Sequence, residues 1–329
     1  MNLSELREKQ GWTLQMKVAH SMNVISSFVE RMGGVDKVYI AFSGGKDSTV
    51  LLDIARRMYP NILAVFVMTG NEYPDICRFV REKKNNGENI EIIRPKITPR
   101  EVWSNYGFPL VSKEVAENVH SIRINPNSIK SRKALGVINP QSMFVLSNKW
   151  LYLTKEPYEC SNTCCDILKK YPSKKFQKET GRMPILGTMA DESMLREKTY
   201  LRNGGCNVYK EKGKSKSMPL SIWLEQDILD YIKKYNIKIA DIYHKGAKRT
   251  GCMGCGFGAH FKDDNRFTLL HKLYPKAYDM VMNYTNNGVT FREALRKVLA
   301  TNGLYLPDEQ PPSLFSEEDF EEQQYKATI

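Results

Sequence analysis

Apolar residues recur at spacings of three and four through Leu14, Val18, Met22, Ile25, Val29 and Met32. That period predicts a helix with one packing face, closed by Gly33-Gly34. The pattern then changes. Val38–Phe42, Ile62–Met68 and Ile90–Ile93 are short apolar runs of the kind that form buried parallel strands, and Met183–Thr188 supplies a fourth. Helical patterns over Thr49–Met58, Pro74–Lys84 and Ile222–Tyr235 separate or follow them. Strands alternating with helices predict an α/β fold with a doubly wound, mostly parallel sheet. Residues 104–180, with turn signals at Asn125-Pro126 and Asn139-Pro140, read as an inserted, cysteine-bearing subdomain. The expected division is an N-terminal helical segment at 1–34, a main domain at 35–290, and a C-terminal helix with an acidic tail at 291–329. No internal repeat is visible.

The 329 residues are 41% hydrophobic and 26% charged, enough to bury a core and too apolar for global disorder. No apolar run approaches the roughly 18 residues needed to cross a bilayer, and the first 20 residues show no basic-then-apolar pattern, so export is not expected. A soluble, cytoplasmic protein without membrane partners is expected. The net charge of +12 is concentrated: Ser121–Ser215 holds 18 Lys and Arg against 8 Asp and Glu, while Ser316–Ile329 has five acids and one Lys. A basic middle fits a polyanionic partner, nucleic acid among them, and fits equally a solvated lysine-rich surface. Trp150, Tyr152, Tyr158 and Tyr171 lie within it as candidates for stacking on bases or for packing.

In an open α/β sheet, ligands bind beyond the carboxyl ends of the strands. Ser43–Ser48 follows the first strand directly and opens the next helix. Gly44 and Gly45 let the backbone turn and present its N–H groups, and the helix start adds partial positive charge. Ser43 and Ser48 offer hydroxyls, Lys46 a full charge for a phosphate, and Asp47 a carboxylate that can hold Mg²⁺ or orient the loop. The glycine spacing of a Walker loop is absent, so γ-phosphate transfer is not the expected chemistry.

Ser43–Ser48 resembles the PP-loop of the N-type ATP pyrophosphatases, in the adenine nucleotide alpha-hydrolase-like superfamily. From about Val38 to about Gly258, two-thirds of its length, the chain resembles the phosphoadenosine phosphosulfate (PAPS) reductase family. Met68–Asp75 is similar to that family's Thr-Gly segment, Leu186–Ser193 with Arg196 to its fourth-strand motif, Pro219–Trp223 with Asp227 and Tyr231 to its helix motif, and His244–Cys255 to its closing cysteine motif. The resemblance implies ATP, or an adenine sulfonucleotide, bound by Ser43, Gly44, Gly45, Lys46, Asp47, Ser48, Thr69, Gly70, Gly187 and Arg196. Lys46 and Asp47 would be catalytic, with Mg²⁺.

Seven cysteines stand at 77, 160, 164, 165, 206, 252 and 255. In a reducing compartment disulfides are not expected, and the two tight groups point to metal or cluster ligation. The adjacent pair Cys164-Cys165 with Lys169, joined to the distant Cys252 and Cys255, resembles the [4Fe–4S] motif of adenylyl-sulfate reductases. By that resemblance the four cysteines hold the cluster, with Lys169, Cys160 and Arg249 beside it. Four thiolates suit [4Fe–4S] and suit Zn²⁺ as well. Cys160 is a further ligand or sulfur carrier, Cys206 is open to either role, and Cys77 reads as a buried apolar residue.

Two departures from the family bear on the reaction. No cysteine follows Cys255, where sulfonucleotide reductases carry their nucleophile, and Met189 stands where that family has an anion-binding arginine. The expectation is an ATP-dependent adenylating enzyme of sulfur transfer, of the nucleic-acid thiolation or phosphorothioation type, with a sulfur donor or reductant protein as partner. The rivals are a sulfonucleotide reductase with a non-standard thiol such as Cys206, and a non-catalytic nucleotide-binding module with structural zinc.

Overall fold

The computed structural model describes residues 2–142, 144–210 and 214–309, so the acidic tail lies outside the described residues. The strands in chain order are β1 (Val38–Phe42), β2 (Ala64–Val67), β3 (Ile90–Ile93), β4 (Leu110–Val111), β5 (Met183–Leu186), β6 (Asn207–Val208), β7 (Lys216–Ser217), β8 (Gly256–Phe257), β9 (Thr285–Asn286) and β10 (Val289–Thr290). The chain divides into two units, Met1–Val102 with Thr163–Met253, and Trp103–Asn162 with Gly254–Ile329. Among the described residues, no helix is long and apolar enough to cross a membrane.

The first unit holds the six-stranded sheet, in the order β3-β2-β1-β5-β7-β6, parallel except for β6. Ala41 of β1 pairs with Val65 on one side and Leu186 on the other. Because side chains alternate along a strand, Tyr39 and Phe42 point to opposite faces. Tyr39 packs with Val65 and with Phe176 of the helix Tyr171–Thr180. Phe42 meets Phe79 of the helix Pro74–Asn85. Helices therefore cover both faces, as the alternating pattern predicts. Strand order reverses between β1 and β5, which opens a crevice beyond their carboxyl ends.

Element boundaries shift where polar chemistry replaces apolar periodicity. The helix expected from Thr49 begins at Lys46, directly after Gly45, and the hydroxyls of Ser48 and Thr49 both donate to the Gly45 carbonyl at 2.9 Å. The helix expected from Ile222 begins at Glu225, because Ile222 and Trp223 form a buried turn and the Asp227 carboxylate caps the Leu224 N–H at 2.7 Å.

That turn fastens the N-terminal helix Leu14–Met32 to the sheet unit. The Trp223 indole donates to the Ser21 hydroxyl at 2.9 Å, and that hydroxyl donates to the Pro219 carbonyl at 3.0 Å. Lys17, only 1% exposed, places its ammonium 2.5 Å from Asp227. One turn further on, the Tyr231 hydroxyl donates to Asp53 at 2.6 Å, reaching the helix Lys46–Met58. The tryptophan, aspartate and tyrosine of this motif are thus brackets between three helices.

The second unit is built on aromatic rings. Trp103 lies 4.7 Å from Phe291 and 5.5 Å from Tyr284 between ring centroids, and Phe108 lies 5.3 Å from Phe291. Buried Asn286 donates to the Trp103 and Ser104 carbonyls and accepts from the Glu159 N–H.

A buried ion pair is costly to halve, since the remaining charge keeps its desolvation penalty. Asp227→Ala should therefore lower unfolding stability by about 3 kcal/mol. Lys17→Met together with Asp227→Leu should recover a large part of that loss, measured by chemical denaturation.

Candidate functional site

The loop Ser43–Ser48 sits at the carboxyl end of β1, and its shape is set by what surrounds its glycines. Gly44 stands at φ +72°, and a Cβ there would come within 2.8 Å of the Ile76 side chain. At Gly45 a Cβ would lie 2.9 Å from the Thr250 hydroxyl and 3.2 Å from the Tyr243 hydroxyl. Gly187, just past β5, approaches the Asp47 carbonyl and the Ser48 Cα so closely that its own Cβ would stand at 3.3 Å from each. The two serines brace the turn: the Ser43 N–H donates to the Ser48 hydroxyl at 3.2 Å, and the hydroxyls lie 3.0 Å apart.

Charge is gathered around this turn. Lys46 is buried, with its ammonium 3.0 Å from Glu225 and 3.7 Å from Asp47. Burial opposes that charge, but Asp47 and Glu225 outweigh it and hold the ammonium's pKa above its ordinary value. Burial raises the Asp47 carboxyl, Lys46 pulls it back, and Glu192 and Glu225 push it further up. Oδ1 of Asp47 is buried and accepts no hydrogen bond. A buried carboxylate oxygen with no hydrogen bond of its own, paired only at 3.7 Å with the Lys46 ammonium, fits a Mg²⁺ ion carried in on phosphates.

A cleft runs from this loop along β1 and β2, with Ala41, Val65 and Val67 on its floor and Ser43, Glu72 and Lys169 along its polar edge. Thr69 and Gly70 bend around Glu72, whose carboxylate accepts from the Thr69 N–H at 2.9 Å, the Thr69 hydroxyl at 2.6 Å and the Gly70 N–H at 3.1 Å.

Two cysteine segments of the first unit meet at the same cleft. Cys164 and Cys165 open a helical run that widens to a π turn over Asp166–Lys170 before continuing as Tyr171–Thr180. The wide turn carries Lys169, whose ammonium hydrogen-bonds Cys252 and lies within electrostatic reach of Cys165 and Glu72. The Cys252 charge, more than any other influence, holds the Lys169 pKa above its ordinary value. Burial pushes the Cys252 thiol up, and Lys169 counters it. The Met253 N–H donates to the Asn71 carbonyl at 2.8 Å, tying this segment to the Thr69–Glu72 bend. Cys255 belongs to the second unit. Among the described residues no three His, Cys, Asp or Glu side chains stand close enough together to hold a metal ion. The thiol donors suit iron–sulfur or zinc chemically, but no closed ligand set is formed.

Residues 37–123 and 127–256, about two-thirds of the chain, match the phosphoadenosine phosphosulfate reductase domain family. The chain belongs to that family. An uncharacterized protein of Methanocaldococcus jannaschii is 23% identical over 265 residues, covering 79% of this chain and 50% of that protein. The chain thus spans about half the length of this relative. Solved structures similar to this member of the PAPS reductase family include a phosphoadenylyl-sulfate reductase from Candida auris in a phosphate complex (14% identity, 77% and 96% of the two chains, TM-score 0.43). An NH₃-dependent NAD synthetase from Campylobacter jejuni in complex with nitrate ion gives 14% identity, 92% and 100% coverage and a TM-score of 0.39. A U34-tRNA thiolase from Methanococcus maripaludis with its [4Fe–4S] cluster gives 12%, 82% and 80%, and 0.35.

Within this PAPS reductase domain the remaining candidates fall into distinct places. Arg196 forms an ion pair with Glu192, whose charge is felt at Asp47. Arg249 is exposed, next to Thr250. Met189 is buried, and its N–H donates to Glu192 at 3.0 Å. Cys160 is fully buried in the second unit, where burial pushes its thiol up to about 12. Cys206 lies 3.7 Å from the His20 imidazole and near Tyr200 and Ser221, its thiol pushed up to about 11 by burial. Trp150 and Tyr158 are buried, while Tyr171 is 57% exposed and open to stacking. Sequence reading missed Glu72, Glu225, Tyr243 and Thr250. Glu72 and Thr250 sit inside segments that carried the family resemblance, and Tyr243 directly precedes one of them.

Two outcomes test this geometry. Gly44→Ala should cost about 1–2 kcal/mol in unfolding stability from the left-handed backbone alone. Cys206 ionises near 9 when unfolded but near 11 when folded. The unfolded state therefore loses that proton first, and stability should fall as pH rises from about 9 to about 11. Cys206→Ser should flatten this part of the stability profile, and native Cys206 should resist alkylation at neutral pH.

Proposed function

We propose that this protein binds Mg-ATP with the β- and γ-phosphates on Ser43–Ser48 and the nucleoside along the β1–β2 cleft, and that it adenylates an acceptor for sulfur transfer. The observation that carries this reading is the glycine turn at the carboxyl end of β1, opening a helix and backed by the buried Lys46 ammonium and the buried Asp47 carboxylate oxygen paired with it. The acceptor oxygen attacks the α-phosphorus. The bond from that phosphorus to the bridging oxygen breaks, and pyrophosphate leaves. A sulfur nucleophile then displaces AMP from the adenylated acceptor.

The protein's share is positioning and charge neutralisation. Loop N–H groups and Lys46 hold the departing pyrophosphate, and Asp47 is the carboxylate that would hold a magnesium ion, which would supply further positive charge. Within the first unit Cys164, Cys165 and Cys252 are the thiols available to a [4Fe–4S] cluster or a zinc ion, which when bound would supply a site for sulfur or a brace. The basic stretch with exposed Tyr171 supports a nucleic-acid acceptor. A sulfonucleotide reductase working through Cys206 is disfavoured, since that thiol is buried and stays protonated at neutral pH.

With α-labelled ATP and candidate RNA or DNA acceptors under anaerobic conditions, wild type should release AMP and pyrophosphate. Lys46→Ala should lower the rate at least about 100-fold, the scale of losing one preorganised charged donor. Equal rates in both proteins would overturn the reading, and sulfite release from adenylyl sulfate would replace it with the reductase. Anaerobically purified protein with iron, sulfide and broad absorbance near ~400 nm would support the cluster, and colourless protein with bound zinc would exclude it.

A further inference from the structure

The phosphate turn already has a hydrogen-bond partner. The Lys46 N–H, at the first position of its helix, donates to the Tyr243 hydroxyl at 2.9 Å. That hydroxyl lies 2.7 Å from the Thr250 hydroxyl, and both crowd the Cβ position that Gly45 leaves open. The Tyr243 ring also stands 5.9 Å from the Lys46 ammonium. Neutral oxygens therefore fill the space where a helix start presents its N–H groups to an anion.

This arrangement is anchored from both ends. Lys245, two residues beyond Tyr243, bonds both oxygens of buried Asp75 at 2.9 and 3.1 Å. Thr250 stands two residues before Cys252, whose neighbour Met253 is held by Asn71. A short covalent path thus joins the hydroxyl on the phosphate turn to the thiol that meets Lys169.

We infer that Tyr243 is a phosphate-site residue: its hydroxyl holds on the Lys46 N–H the position of a pyrophosphate oxygen, and its displacement on binding releases Thr250 and loosens the segment leading to Cys252. This rests on the ATP reading above and extends it, because nucleotide arrival at Ser43–Ser48 is then reported to the cysteine segment before any chemistry occurs. Tyr243 acts by competition for a donor, and Thr250 sets how firmly it competes.

Magnesium pyrophosphate is the probe, titrated by calorimetry into full-length wild type, Tyr243→Phe, Thr250→Val and Lys46→Ala. Phenylalanine keeps the ring beside Lys46 and removes only the hydroxyl. Tyr243→Phe should bind about five-fold tighter, the ratio of one ordinary neutral hydrogen bond, and Thr250→Val should fall between it and wild type. Amide hydrogen exchange over residues 247–253 should rise several-fold when wild type binds pyrophosphate. In Tyr243→Phe it should already be high without ligand. Unchanged unfolding midpoints confirm that the variants fold.

Equal or weaker pyrophosphate binding by Tyr243→Phe, or exchange over 247–253 that ignores bound pyrophosphate in wild type, overturns the inference while leaving the ATP reading intact. Failure of wild type to bind pyrophosphate any better than Lys46→Ala overturns both.

Discussion

The turn at the end of β1 takes its shape because its glycines leave their Cβ positions to close neighbours from three other parts of the chain. Gly44 and Gly45 form the turn, Gly187 brings the end of β5 against the first helical residues, and Thr250 and Tyr243 come up from the opposite side. Each contact is within about a third of an ångström of the limit that a Cβ would violate. The sheet supplies the rigidity for this: β1 lies between β2 and β5, paired in parallel on both sides, so its carboxyl end cannot drift. The charges of Lys46, Asp47, Glu225 and Glu192 are then gathered in a volume whose walls are fixed, where electrostatic interactions are stronger than at an open surface.

The N-terminal helix and the helix Glu225–Tyr235 have a quieter part in this. Trp223 and Asp227 bind Leu14–Met32 through Ser21 and Lys17, and Tyr231 reaches Asp53 on the helix Lys46–Met58. Glu225, the first residue of the same bracket helix, is the partner of Lys46. A single 11-residue helix therefore both packs the N-terminal element and presents the counter-charge to the loop lysine.

Much of this was legible in the chain. The β1, β2, β3 and β5 strands announce themselves by apolar runs, and Ile90–Ile93 agrees with its expected limits to the residue. The turn Ser43–Ser48 between β1 and its helix was legible because its residue types serve no packing purpose. The start of its helix was not, since Lys46, Asp47 and Ser48 carry no apolar period. Glu72, Glu225, Tyr243 and Thr250 were hidden for a related reason: acids and hydroxyls are common on any surface, and their meaning here lies in a convergence that spacing along the chain does not encode. The cysteines show the converse. Their spacing drew attention first, yet Cys160 and Cys206 turn out to be buried thiols in separate places.

The margins of the six-stranded sheet have a bearing on how copies of this chain behave together. At one border β6 is two residues long and runs antiparallel to its neighbour, and at the other β3 is four residues with Glu91 exposed. Unpaired strand borders are the usual templates for fibril growth and for partner strands that extend a sheet. Neither border offers more than a stub of free ladder, and one is guarded by a carboxylate. Among the described residues, the ends of the sheet thus give a second chain little backbone to pair with, and side-chain surfaces make up most of what this unit can offer a partner.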